Sequence, residues 1–216
     1  MGGTTSAERE AIAAELAAVN PRLHHHLFGT HPKRILALDG GGVLGVIEIA
    51  FLERIEALLR KRFDDPRLVL SDYFDLIGGT STGAIIATGL ALGMTVAQIK
   101  ALYFMMAEAV FQRPLLSVPH LMPKFSERLL IRQLHAVLGE RQLQTTELET
   151  GLAVVSKRVD TGSPWVLTNH PASGFWQDGP VSAATGEPEW IGNKRYKLKD
   201  IVRASTAAPY YYRPHS

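Results

Sequence analysis

The sequence predicts a three-layer α/β/α domain with a largely parallel central sheet and helices on both sides. Two observations carry that prediction. Apolar strand-like runs feed directly into helical runs through glycine-rich turns, once across residues 34–45 and again across 73–83. Two such junctions in succession put both loops at the carboxyl ends of parallel strands, where open α/β sheets place their ligands. Composition agrees, because 216 residues with 46% hydrophobic and 20% charged side chains are enough to bury a real core.

Taken in order, residues 7–19 read as a short helix within an N-terminal helical extension, residues 1–33. His24, His25 and His26 then precede a loop and read as solvated surface rather than as a metal site. The first strand is Arg34-Ile35-Leu36-Ala37-Leu38, followed by Asp39-Gly40-Gly41-Gly42-Val43-Leu44-Gly45 and a helix over 43–61. On that helix Leu44, Ile47, Phe51, Ile55 and Leu58 recur at helical spacing, while Glu48, Glu53, Glu56 and Arg60 supply polar faces. The second strand reads Tyr73-Phe74-Asp75-Leu76-Ile77 and leads through Gly79-Thr80-Ser81-Thr82-Gly83 into a small-residue helix over 84–92.

Thr95 and Gln98 form a capping box for a helix reaching about residue 111. Residues 112–125 are proline-broken, apolar and mildly basic. They read as a lid or cap, either packed on the core or dipping into a lipid surface. A helix over 126–138 and strands over 152–159 and 165–168 complete the pattern, the strands joined by the turn Asp160-Thr161-Gly162-Ser163.

Chemistry concentrates at the two glycine turns. A strand that enters a helix through G-x-S-x-G holds its serine in a strained turn, with glycines where side chains would collide with neighbouring chain. Ser81 is therefore the candidate nucleophile, exposed where a helix N-terminus favours developing negative charge. At the other junction, three consecutive glycines let unobstructed N–H groups approach an anionic atom. Gly40, Gly41 and Gly42 are the candidate oxyanion donors facing Ser81. Asp39 is expected to orient that loop by accepting backbone N–H bonds.

The D-G-G-G-x-x-G loop, the G-T-S-T-G elbow and Ala204-Ser205-Thr206-Ala207-Ala208-Pro209, in that order, together resemble a patatin-like phospholipase domain spanning residues 34–216. The resemblance implies a lipid acyl hydrolase of phospholipase A type, acting on membrane or neutral lipids. It further implies a Ser-Asp dyad, no catalytic histidine, no metal and no cofactor. By motif it places the nucleophile at Ser81, the elbow glycines at Gly79 and Gly83, the oxyanion loop at Gly40, Gly41 and Gly42, and the loop's end at Gly45.

Two departures stand out. Leu44 occupies a position where the family usually has Arg or Lys, which weakens a preference for phosphate-bearing substrates. The family's aspartate lies in a D-G-G or D-G-A motif downstream of the segment resembling 204–209, and residues 210–216 contain no aspartate. The expectation is an N-terminal part of a longer protein, with its C-terminal part, including the general base, beyond Ser216. Asp178-Gly179 mimics the dipeptide, but it precedes residues 204–209.

Three alternatives remain at this point. One is a conventional Ser-His-Asp esterase using His170 or His215. Another is a dinucleotide-binding module built on Gly40, Gly42 and Gly45, which Asp39 disfavours. The last is a non-catalytic lipid-binding fragment, which the missing aspartate favours. A net charge of +2 with no basic stripe argues against nucleic acid as a partner. The absence of cysteine excludes disulfides and thiolate metal sites within this sequence. With no signal-peptide pattern and no apolar run of membrane-spanning length, the expected location is cytoplasmic, with peripheral contact at a membrane surface.

Overall fold

The computed structural model describes residues 5–111 and 127–207. Four strands form one sheet in the order β1 (Ile35–Leu38), β2 (Leu76–Thr80), β3 (Gly151–Lys157) and β4 (Pro164–Thr168). The first three are parallel and β4 runs antiparallel to β3. The register pairs Leu38 with Gly79 and Thr80 with Val155, so the ends of β1 and β2 lie side by side.

Helices surround this mostly parallel sheet. Two precede it, α1 (Ser6–Val19) and α2 (Pro21–Phe28). After β1 comes a 3-10 turn at Gly42–Leu44, then α3 (Gly45–Phe63) and α4 (Leu70–Tyr73). The second junction is followed by α5 (Thr82–Ala91), α6 (Val96–Phe111) and α7 (Glu127–Leu138), and α8 (Leu198–Thr206) closes the described chain. Helix α5 packs across β1, β2 and β3, and α8 packs on β3 and α5. Nine of the ten residues of α5 are buried. Its run of Gly, Ala and Thr allows that close approach, with Thr88 returning its hydroxyl hydrogen to the Ala84 carbonyl at 2.7 Å.

The capping box at Thr95 forms as expected, Gln98 N–H donating to Thr95 Oγ1 and Thr95 N–H to Gln98 Oε1. Three other expectations are corrected. The second strand begins at Leu76 rather than Tyr73, because Asp72 accepts the Val69 N–H at 2.7 Å and turns residues 70–73 into a single helical turn. Strand geometry then continues through Gly78, Gly79 and Thr80.

On α3 the buried side is Gly45, Ile49, Leu52, Glu56 and Leu59, while Phe51 (68% exposed), Ile47 and Leu58 face outward. Two interleaved stripes have the same helical spacing. The inward one is selected by contact with α6, where the Glu56 carboxylate accepts the Val96 N–H at 3.2 Å and pairs with Arg60.

The histidine run is the third correction, since it lies within α2 and His26 is buried. Asn20 ends α1 and caps α2, and its amide also ties both helices to the carbonyls of Thr146 and Leu148. His26 Nδ1 and His31 Nε2 lie 2.9 and 2.8 Å from Asp75 Oδ1, and the Arg34 N–H donates to Asp75 Oδ2 at 2.8 Å. Burial pushes the Asp75 carboxyl upward, but these donors outweigh it and hold the group at about 2. This cluster fastens α2 beneath the start of β2. Residues 112–125, the expected lid or cap, lie outside the described residues.

Candidate active site

The turn from β2 into α5 is closed by backbone, its own and that at the end of β1. A Cβ on Gly79 would sit 2.3 Å from the Gly83 carbonyl oxygen, and one on Gly83 would sit 2.4 Å from the Leu38 carbonyl oxygen. Both positions therefore require glycine. Between them Ser81 has φ 51° and ψ −120°, a left-handed conformation that costs a non-glycine residue roughly 1–3 kcal/mol. Its carbonyl accepts the Ala84 and Ile85 N–H groups and so starts α5, while its hydroxyl makes no cap bond to that helix. The side chain is half-buried at the helix N-terminus.

The strained serine is held from a distance. Its N–H donates to Ser205 Oγ at 2.8 Å, and Ser205 in turn donates to the Val155 carbonyl at 2.6 Å. The segment 204–207 thus falls in and just after α8, and one hydroxyl links that helix, β3 and the elbow. Sequence reading singled out this segment without giving Ser205 a role.

The glycine loop meets the elbow directly, because a Cβ on Gly40 would lie 2.9 Å from Ser81 Cβ. Gly42 has φ +54°, and its carbonyl accepts from Thr82 Oγ1 at 3.2 Å and from the Tyr103 hydroxyl. Among the described residues, no acceptor takes the Gly41 or Gly42 N–H. Gly45 is glycine for space, since a Cβ there would stand 2.5 Å from Thr82 Cγ2 and 3.3 Å from the Tyr103 ring. Leu44, where the family usually carries a cation, is 62% exposed beside the loop.

Asp39 differs from expectation. Its own N–H donates to Glu48 Oε1 at 3.0 Å, so Glu48 is the acceptor that secures the loop's start. Burial raises the Glu48 carboxyl above its ordinary range, and the nearby Asp39 charge adds to that rise. The sequence showed Glu48 only as part of a polar face, and Tyr103 gave no signal at all.

Five of the other aspartates have side-chain partners away from the serine. Asp65 accepts the Arg67 N–H, Asp72 pairs with Arg22, Asp75 holds the histidines and Asp160 pairs with Arg158. Asp178 accepts the Gly192 N–H at 2.7 Å and pairs with Arg195, tying a turn. Asp64 is the left-handed cap of α3. His170 packs against Phe28 at a tilt, with centroids 5.1 Å apart, and its Nδ1 accepts the Ala172 N–H. His215 lies outside the described residues. No group of three or more His, Asp or Glu side chains among the described residues is placed to hold a metal ion.

A strained serine between obligate glycines is thus pressed against a glycine loop at the ends of parallel strands in an α/β fold. The sequence matches the patatin-like phospholipase family over residues 36–216, and the chain belongs to that family. It is 28% identical over 186 residues to a cGAMP-activated phospholipase of Escherichia coli strain TW11681, covering 84% of this chain and 48% of that protein. A second cGAMP-activated phospholipase, from Vibrio cholerae, is 29% identical over 209 residues, covering 91% of this chain and 53% of the relative. Patatin-17 of Solanum cardiophyllum is 28% identical over 188 residues, covering 84% and 43%. The chain thus spans about half the length of these curated relatives. Among solved structures, VipD of Legionella pneumophila aligns with a TM-score of 0.44 at 13% identity, covering 84% of this chain and 43% of that one.

Proposed function

We propose that this chain carries the nucleophile and oxyanion loop of a serine lipid acyl hydrolase of phospholipase A type. The observation that carries the reading is Ser81, held at positive φ on a helix N-terminus with Gly40 against its Cβ. Ser81 Oγ attacks the ester carbonyl carbon while its proton passes to a general base. The carbonyl oxygen becomes an oxyanion that the unused Gly41 and Gly42 amides stabilise. Collapse of the adduct breaks the bond to the alcohol, which leaves with the base's proton. Water then attacks the acyl-serine by the reverse proton route and releases the fatty acid. The base in this proposal is an aspartate other than those engaged in the contacts above, completing a Ser-Asp dyad.

The setting proposed is cytoplasmic, at a membrane surface. The outward side of α3 supports the membrane contact, for Ile47, Phe51 and Leu58 alternate there with Arg54 and Lys61, and the bordering Glu53 is paired with Lys100 at 2.8 Å. The test is hydrolysis of a short-chain p-nitrophenyl ester by the full-length protein, beside labelling with a fluorophosphonate. Ser81→Ala should lower kcat/KM by about a thousandfold or more and abolish labelling. A variant that keeps a tenth of the rate would remove Ser81 from the reaction.

A further inference from the structure

The reaction proposed above needs the Gly41 and Gly42 amides aimed at the ester oxygen, yet the loop has little packing of its own. Gly40 and Gly41 are exposed, and a Cβ on Gly42 would meet nothing within 4 Å. What fixes the loop comes from three helices. Tyr103 of α6, itself buried, donates its hydroxyl hydrogen to the Gly42 carbonyl, and Thr82 at the start of α5 donates to the same oxygen at 3.2 Å. Both lone pairs of that carbonyl are then occupied. At the loop's other end Glu48, in the first turn of α3, accepts the Asp39 N–H at 3.0 Å.

Each peptide unit is planar and trans, so holding the Gly42 carbonyl fixes the 42–43 unit. The Leu44 N–H bond to the Gly41 carbonyl at 3.1 Å fixes the adjoining 41–42 unit, and with it the direction of the Gly42 N–H. We propose that Tyr103, Thr82 and Glu48 are positioning residues that clamp the glycine loop in its donor-presenting conformation, through the Gly42 carbonyl and the Asp39 amide. The inference rests on the hydrolase reading for its purpose, not for its geometry.

Two further features fit. The absence of a side chain at Gly45 is what lets Thr82 and the Tyr103 ring reach the loop. Burial raises the Tyr103 hydroxyl above its ordinary range, with the facing Glu48 charge adding to it, so Tyr103 stays a donor across the working pH range. A Glu48 that is also raised needs only its acceptor oxygen to hold the Asp39 amide. Its negative charge, next to a site that must stabilise an oxyanion, is no asset.

The experiment compares full-length wild type with Tyr103→Phe, Glu48→Ala and Glu48→Gln by three readouts. These are kcat and KM on p-nitrophenyl butyrate, Ki for an alkyl trifluoromethyl ketone, and amide hydrogen exchange across residues 39–45. The ketone adds to a serine as a tetrahedral oxyanion and so reports the donors directly. Tyr103→Phe should lower kcat by roughly tenfold or more with KM within about twofold, and raise Ki by the same factor. Exchange across the loop should quicken while the rest of the protein holds its protection. Glu48→Ala should act in the same direction, and Glu48→Gln, which restores an acceptor, should recover most of the loss. Unchanged exchange and unchanged Ki in Tyr103→Phe and Glu48→Ala would overturn the clamp. So would equal losses in Glu48→Gln and Glu48→Ala with Ki unmoved, which would mean general damage. If the wild type neither hydrolyses the ester nor takes up the ketone, the hydrolase reading falls. The exchange comparison then still supports or overturns the clamp.

Discussion

The two strand-to-helix junctions lie side by side, Leu38 paired with Gly79, and they are held in opposite ways. The elbow at 79–83 is pinned by close backbone, its own at Gly79 and that of residues 38 and 39 at Gly83, with carbonyl oxygens standing where a Cβ at either would go. The loop at 39–45 has open space around Gly42 and takes its shape from side chains forty to sixty residues away, Thr82 and Tyr103. Steric closure writes itself into the local sequence as glycine at fixed spacing. The other loop also keeps glycines at its crowded positions, Gly40 and Gly45, but its distant donors leave no local trace, because they belong to other helices.

The sharpest way to break this contrast is Gly83→Ala. The added methyl would overlap the Leu38 and Asp39 carbonyls, so the variant should lose ester hydrolysis by at least about a hundredfold or fail to accumulate as folded protein. Near-normal activity would show that the elbow has slack that its geometry denies.

Asp75→Ala comes next and bears on the support beneath β2. Removing a buried carboxylate that satisfies two histidines and the Arg34 amide should cost about 3 kcal/mol, read as a lower denaturation midpoint. The group is held at about 2 in the fold against 3.8 ordinarily, so the unfolded chain binds the proton more readily. Its stabilisation is complete above the ordinary range and fades as pH falls from 3.8 toward about 2. The variant should therefore show a shallower loss of stability across that acid window than wild type does.

Gly42→Ala tests the looser junction. The methyl finds room, but positive φ disfavours it by about 1 kcal/mol, so kcat should fall by roughly tenfold with stability nearly intact. A loss as large as that of Gly83→Ala would make the two junctions equally rigid and erase the distinction. Ser205→Ala is expected to be milder still. It removes the acceptor of the Ser81 N–H and should cost about 1 kcal/mol, with a several-fold fall in kcat. On α3, Phe51→Ser should change stability by no more than about 0.5 kcal/mol, since the ring is 68% exposed. Its weaker binding to anionic phospholipid vesicles would then be read without a folding defect.

Much of this architecture was legible from residues alone. The alternation of apolar strand runs with helical runs identified the parallel sheet, and the glycine spacing located both junctions and Ser81, since obligatory close approach leaves only one residue type acceptable. The capping box at Thr95 was equally readable, because both of its partners lie within one turn. Local pattern was ambiguous on α3, where periodicity offers two stripes and only packing on α6 selects Ile49, Leu52 and Leu59 over Ile47, Phe51 and Leu58. It was silent about Asp75 gathering His26 and His31, about Ser205 supporting Ser81 across 124 residues, and about Tyr103 and Glu48 at the glycine loop. By itself the sequence determined the elements whose constraints are steric and local. Tertiary structure alone decided which polar side chains meet, because a hydrogen bond depends on where two distant groups arrive in space, and no spacing along the chain records that.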